Sequence, residues 1–372
     1  PTFGSVFPGD NGKVNATTRV VGWTNSENLS DGLIKYTVTS GTDTNSPHQS
    51  SMSGKLVSGT QNIDLGELVE GCLYTLTISG TDIAGNAGNV DKVNISYDKT
   101  GPSFGVVTPA TGSRIGVSSR VVNWTNNEAL SDGFVRYVAT AGTDTGGSPA
   151  GTHSISMVGM GKLGSGQQSL DVPGLVNGVT YKLEINATDI AGNLGTMAVN
   201  TGLVYDEIAP NFGSVIPNAG EYCNNNSIKI TFTLSEALQS GQMIYTGVSG
   251  PDSGNARTRT LVGSELTTLT SQTVQVNGLV DGTIYDLTIN GTDVALNPAS
   301  TISRSNIRYD ITLPAFDPVT PLADTYINNV TRKAQWNNSE QLSSGNIKYV
   351  YVSGSIDTGG NPVGTHQVDL TG

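Results

Sequence analysis

Tyr74-Thr75-Leu76-Thr77-Ile78-Ser79 is the stretch that decides the fold. Tyr, Leu and Ile fall on one side of a strict alternation and Thr, Thr and Ser on the other, the pattern of a strand with one face in a core. It runs into Thr81-Asp82-Ile83-Ala84-Gly85-Asn86, where Gly and Asn suit a hairpin turn with positive φ. That turn returns as Thr188 to Asn193 and, less perfectly, as Thr292 to Asn297. Other landmarks repeat in the same order. Phe3-Gly4-Ser5-Val6 recurs at Phe104 and Phe212 and loosely at Phe316, and Tyr97-Asp98 recurs as Tyr205-Asp206 and Tyr309-Asp310. Trp23 is matched by Trp124, Phe232 and Trp336, at spacings of 101, 108 and 104 residues. A period of this length is too long for a solenoid and has the size of one small domain.

The repeat divides the chain into units 1–99, 100–207 and 208–311, and a partial fourth, 312–372. Arg19-Val20-Val21-Gly22-Trp23 and Leu33-Ile34-Lys35-Tyr36-Thr37-Val38 are further β-rich runs, and no window of a dozen residues keeps a helical period. About seven short strands per unit, separated by Gly, Asn, Asp and Ser, predict an all-β two-sheet sandwich. Between the Asp of each Tyr-Asp pair and the next Pro (Asp98 to Pro102, Asp206 to Pro210, Asp310 to Pro314) stand only three residues. Linkers this short, each closed by a φ-locked Pro, predict a stiff rod, about 35–40 Å per unit and on the order of 140 Å for four.

Composition excludes several functions. With 31 acids against 19 bases, a net charge of −12 and a pI near 4.6, the surface has nothing to neutralise a run of phosphates, so nucleic acid is not expected as a partner. No run of 18 apolar residues spans a membrane. Two cysteines and three histidines cannot build a zinc ribbon or a disulfide framework. Charged residues make up only 13%, so the surface must be Ser, Thr, Asn and Gly. Starting at Pro1 with no leader, the chain reads as a mature product or a piece of something longer.

Candidate chemistry is sparse. Gly159-Met160-Gly161-Lys162-Leu163-Gly164 matches a dinucleotide fingerprint, but Ser165-Gly166-Gln167-Gln168 then leads into another strand rather than a helix, so the motif reads as a loop. His48, His153 and His366 stand at a similar place in units 1, 2 and 4, with Thr258-Arg259-Thr260 read as the counterpart in unit 3. They read as structural. No grouping within one unit supports nucleophilic catalysis, and the chain is not expected to be an enzyme. Cys72 and Cys223 lie in different units and read as packed free thiols. Asn-x-Ser/Thr sequons occur at Asn15, Asn28, Asn94, Asn123, Asn186, Asn290 and Asn329, and modification there is left open.

Leu175-Val176-Asn177-Gly178-Val179-Thr180-Tyr181 looks like the corner between strands E and F of fibronectin type III domains, with Tyr74 and Tyr285 as its counterparts. Trp23, Trp124 and Trp336 resemble the core Trp of strand B in that fold. The Asp-x-Ala-Gly-Asn turn and the Tyr-Asp-x-x-x-Pro linker resemble the Ig-like repeats of large bacterial surface adhesins and biofilm-associated proteins. This resemblance covers essentially the whole chain. It implies tandem Ig/FnIII-like seven-stranded sandwiches, an extracellular setting, and Ca²⁺ between domains as a stiffener.

In that topology the B–C and F–G loops share the pole at which the previous linker arrives. The first junction then gathers Asp98, Glu128, Asp189 and Asn193, and the second Asp206, Glu236, Asp293 and Asn297. The third has Asp310 and Glu340 alone. Three acids and an amide suit Ca²⁺, which takes six to eight oxygens. Turn chemistry alone would also explain these residues, and both readings stand open. Unit 4 stops where strands E, F and G are still due, which predicts either continuation of the chain or strands donated by a neighbour.

Three functions compete: a stalk segment of a cell-surface adhesin or filament, a module binding glycan or protein through its variable loops, and a spacer of a secreted polysaccharide-acting enzyme. The variable C-to-E loops (42–61, 143–168, 251–272) carry no aromatic cluster, which counts against a sugar platform. The expected partners are further copies of the repeat. Lateral or strand-donating self-association and a surface or matrix ligand stay open.

Overall fold

A computed structural model describes residues 1–224, 228–267, 269–328 and 332–370. The first unit contains eight strands, in chain order β1 (Phe3–Phe7), β2 (Lys13–Val14), β3 (Val21–Asn25), β4 (Leu29–Ser40), β5 (His48–Ser51), β6 (Gly59–Ile63), β7 (Leu73–Asp82) and β8 (Ala87–Tyr97). They form a three-stranded sheet, β1-β3-β6, and a five-stranded sheet, β2-β8-β7-β4-β5. This is the A-B-E and G-F-C-C′ division of an Ig/FnIII-like sandwich. One strand exceeds the seven read from sequence. It is the two-residue β2, paired parallel to β8 through Lys13↔Ser96 and Val14↔Tyr97 and too short to leave a pattern of its own.

The alternation in β7 has the expected consequence. Tyr74, Leu76 and Ile78 are fully buried, and Thr75 and Thr77 lie half-buried on the other face. Across the sandwich Trp23, also buried, joins Val21, Ile34, Tyr36 and Met52 in one core. Tyr36 meets Tyr74 edge-on, with ring centroids 6.0 Å apart at 73°. Offset or edge contacts of this kind are the favoured arrangement of buried aromatic rings.

Units 2 and 3 repeat the plan, each with its own three- and five-stranded sheets and its own core. Tyr137 and Tyr181 reproduce the ring pair at 6.1 Å, and Tyr245 and Tyr285 at 5.9 Å. Unit 3 adds a single helical turn, Ser264–Thr267. The protein is therefore all-β, with three repeated sandwich domains. In the fourth unit Gly345–Val350 pairs antiparallel with Thr365–Leu370, and bridges join Phe316 to Asn338 and Thr320 to Gln335. The loop at Gly159–Gly164 connects two strands, Thr152–Ser156 and Gly166–Leu170, and opens no helix.

The strand-B tryptophan has a partner the sequence did not reveal. Trp23 Nε1 donates to Asn25 Oδ1 at 2.7 Å, and Asn25 Nδ2 donates in turn to the carbonyls of Lys55 and Val57. Trp124 and Asn126 repeat this, and Trp336 Nε1 likewise donates to Asn338 Oδ1 at 2.6 Å. An indole N–H taken out of water needs an acceptor, and an Asn two residues on, the next inward-facing position, supplies it. In unit 3 both positions are apolar, Phe232 and Leu234, so no acceptor is needed.

Candidate metal centre and interdomain junctions

The turn between β7 and β8 is built by its own aspartate. Asp82 N donates to Asn86 O at 2.9 Å, Asn86 N donates to Asp82 Oδ1, and Asn86 Nδ2 to Asp82 Oδ2. Gly85 takes φ 91° and Gly192 φ 92°, so of the two residues expected at positive φ the glycine alone adopts it. In unit 3 Leu296 holds that position at φ 71°. Asp189 and Asp293 are buried, and each is clamped by Asn193 or Asn297 in the same way.

Asp189 and Asp293 each face the linker arriving from the unit before. Asp98, Glu128 and Asp189 bring one carboxylate oxygen apiece within 4.8 Å of one another, and so do Asp206, Glu236 and Asp293. Among the described residues these are the two such acidic groups, and they sit at the first and second junctions. Each triad unites a linker, a B–C loop and an F–G turn. Crowding shows in the glutamates. Burial pushes the Glu128 carboxyl above its ordinary value, and the charges of Asp98 and Asp189 push it further. Glu236 is raised in the same way by burial, Asp206 and Asp293, and Glu340 by burial, Asp310 and Asp281. Positive charge nearby is limited. Arg114 Nη1 reaches Asp206 Oδ2 at 3.4 Å, and Lys13 draws the Glu128 carboxyl partly back down.

Asn193 and Asn297 sit in the groups but turn their amide N–H toward them. Asn193 Nδ2 donates to Asp189 Oδ2 at 2.8 Å and to the Asp98 carbonyl at 3.0 Å. Asn297 Nδ2 donates to Asp293 Oδ2 and to the Asp206 carbonyl at 2.8 Å. These amides tie the F–G turn to the previous linker. The donor set that remains, three carboxylates with backbone carbonyls nearby, is hard oxygen and fits Ca²⁺ rather than zinc or copper.

At the opposite pole the corner tyrosines behave as expected. Tyr74, Tyr181 and Tyr285 accept from the N–H of Val69, Val176 and Val280 at 2.8, 2.8 and 2.9 Å. Their own protons go to Asp43, Asp144 and Asp252, at 2.7, 2.6 and 2.7 Å, acceptors that the sequence did not single out. His48 and His153 contact the same carboxylates at 2.6 and 2.8 Å, and His366 lies 2.7 Å from Asp357. The histidines are thus structural. Their counterpart in unit 3 is Arg257, rather than the 258–260 segment. Strand register pairs Tyr245 with Arg257 as it pairs Tyr36 with His48, and Arg257 Nη2 bonds Asp252 at 2.7 Å. Burial raises the Asp43 carboxyl, but hydrogen bonds from Tyr74, His48 and the Asn45 amide outweigh it and leave it below its ordinary value.

The thiols of Cys72 and Cys223 are free, one buried in the first core and one half-buried against the third. Asn15 and Asn186 are buried, while the sequon at Asn329 lies outside the described residues.

No protein-family model matches the chain, and no curated protein sequence matches it. Among solved structures it is similar to the FN1–FN3 domains of chicken CNTN1, at 14% identity and TM-score 0.32, over 78% of this chain and 95% of that one. It is similar to part of a 1.5-MDa bacterial ice-binding adhesin, at 13% identity and TM-score 0.29, over 83% and 97%. It is also similar to a Ca²⁺-stabilized adhesin of an Antarctic bacterium, at 14% identity and TM-score 0.28, over 83% and 73%. At such identities the likeness is one of fold: by its own strand order, this is a chain of tandem Ig/FnIII-like β-sandwich domains.

Proposed function

We propose that the chain is a stalk segment of an extracellular adhesin or surface filament, a non-catalytic spacer whose units are locked end to end by Ca²⁺. The observation that carries this is the recurrence of a carboxylate triad shared between successive units at both complete junctions. An acid cluster drawn from three separated segments, one of them the linker, accumulates repulsion unless a cation offsets it. The rise of Glu128 and Glu236 above the ordinary carboxylate range reflects burial together with that repulsion. Asp98, Glu128 and Asp189 would hold the first ion and Asp206, Glu236 and Asp293 the second, with Asp310 and Glu340 contributing at the third junction. Ca²⁺ would supply charge neutralisation and a crosslink between units. Asn193 and Asn297 would position the carboxylates.

Calorimetric titration of the chelated chain with Ca²⁺, read beside melting in millimolar Ca²⁺ and in excess EGTA, tests the reading. Bound ions near one per complete junction and a higher melting temperature in Ca²⁺ support it. Identical melting curves and no binding heat would falsify the metal and leave turn chemistry as the role of these acids.

A further inference from the structure

The first two linkers are held from behind as well as from in front, and the third from behind. In front, the amides of Asn193 and Asn297 grip the carbonyls of Asp98 and Asp206. Behind, the grip comes from the residue before the glycine of the E–F turn: Glu70 before Gly71, Asn177 before Gly178, Asp281 before Gly282. Asn177 Oδ1 accepts from Glu207 N at 2.9 Å. Asp281 Oδ1 accepts from Ile311 N at 2.7 Å, and its Oδ2 from Thr312 Oγ1 at 2.6 Å. Glu70 Oε1 accepts from Lys99 N at 3.4 Å and from Thr100 Oγ1.

The turn geometry aims these side chains. The three glycines take φ 77°, 77° and 69°, and their N–H groups bond the carbonyls of Tyr97, Tyr205 and Tyr309, the last strand residues before each linker. That brings the preceding side chain level with the first linker amides. Three different residues, Glu, Asn and Asp, thus present an oxygen acceptor to the same backbone position. None of the three belongs to a carboxylate triad.

We propose that Glu70, Asn177 and Asp281 are orientation latches that fix the direction in which the next unit leaves, without any cation. At the first two junctions the Asp carbonyl and the first linker N–H belong to one planar peptide unit, so gripping it on both edges fixes the plane from which a linker of only three residues departs. The inference rests on the rod reading in one respect: a fixed exit direction matters in a spacer. It assigns direction to the chain's own hydrogen bonds and leaves the cation as an added crosslink.

Small-angle X-ray scattering of the full chain in excess EGTA tests it, with the triple variant E70A/N177A/D281A and the single variant N177D. The wild type is expected to scatter as an extended particle. The triple variant is expected to lose the longest interatomic distances while its units melt at the wild-type temperature. N177D is expected to keep the wild-type profile, because Asp281 does the same task in unit 3. Should the triple variant melt early, a pair of labels on units 2 and 3 with N177A alone replaces it; the expected result is loss of a single narrow distance. Superimposable profiles from an extended wild type and a folded triple variant overturn the latch alone, as does an unchanged label distance in N177A or an N177D profile that collapses. A compact wild type overturns both the latch and the rod.

Discussion

The corner tyrosines use one hydroxyl twice, accepting from a valine N–H and donating to a buried aspartate. Tyr181→Phe keeps the ring in its edge contact with Tyr137 but leaves both Val176 N and Asp144 short of a partner. A hydrogen bond to a charged group is worth about 1.5–3 kcal/mol, and denaturant unfolding of the second unit should show a loss of that order. The aspartates give the pH sign. Asp43 and Asp144 sit below their ordinary value of 3.8, so the folded state holds their protons less tightly than the unfolded chain. Their contribution is complete above the ordinary value and lost as pH falls through the folded one, and acid unfolding of units 1 and 2 should begin below about 4. Leu296 carries the opposite kind of lesson. At φ 71° it bears a left-handed penalty that Gly85 and Gly192 avoid. Leu296→Gly should stabilise unit 3 by about 1 kcal/mol, and a melting temperature at or below wild type would refute the strain.

Among elements, the contact between the loop that follows strand Arg114–Ile115 in unit 2 and the F–G turn of unit 3 is close enough to exclude a methyl group. A Cβ on Gly116 would stand 2.6 Å from the Ala295 carbonyl and 2.8 Å from Asn297 Oδ1. Ser119 Oγ reaches the same Ala295 carbonyl at 3.2 Å. Gly116→Ala should therefore wedge the second junction while leaving both cores whole. The expected signature is unchanged melting of the units with a wider distribution of distances between units 2 and 3, and an unaltered distribution would show that the junction yields freely. At the first junction the linker packs as closely on the F–G turn of the unit it enters, since a Cβ on Gly101 would meet the Leu194 carbonyl at 2.3 Å. Glycine is needed at Gly116 for backbone proximity between units and at Gly101 for proximity of linker and turn, reasons that composition alone cannot show.

For the whole molecule, Glu128 and Glu236 set the pH response of the junctions. Both are raised above the ordinary value of 4.5, so the folded chain binds these protons more tightly than the unfolded one. Without cation, the repulsive penalty is present at neutral pH and disappears as pH falls toward 4.5, so chelated protein should gain stability on mild acidification. With Ca²⁺ the sign reverses, because the ion favours the ionised form and protonation displaces it. Free Ca²⁺ at a hundredfold excess over its Kd would add about 2.7 kcal/mol per site, an effect visible as a rise in melting temperature that shrinks as acidification protonates the glutamates. Parallel pH profiles with and without Ca²⁺ would remove the metal from the account.

Sandwich, repeat and corner were legible in the chain because each is written locally. Alternation places Tyr74, Leu76 and Ile78 inward whatever the rest of the unit does, and a repeated landmark needs no structure to be recognised. The two acid triads were legible only through the assumed topology, since Asp98, Glu128 and Asp189 are separated by 30 and 61 residues and meet through loop placement. What the sequence hid was direction: that Asn193 turns its N–H toward the acids, that Asp43 sits beneath the corner Tyr, and that Arg257 does in unit 3 what His48 does in unit 1. Local pattern determined which faces are buried, because burial follows the period of the strand. The partner of each polar group was decided only by tertiary structure, because a hydrogen bond depends on where two distant segments come to lie.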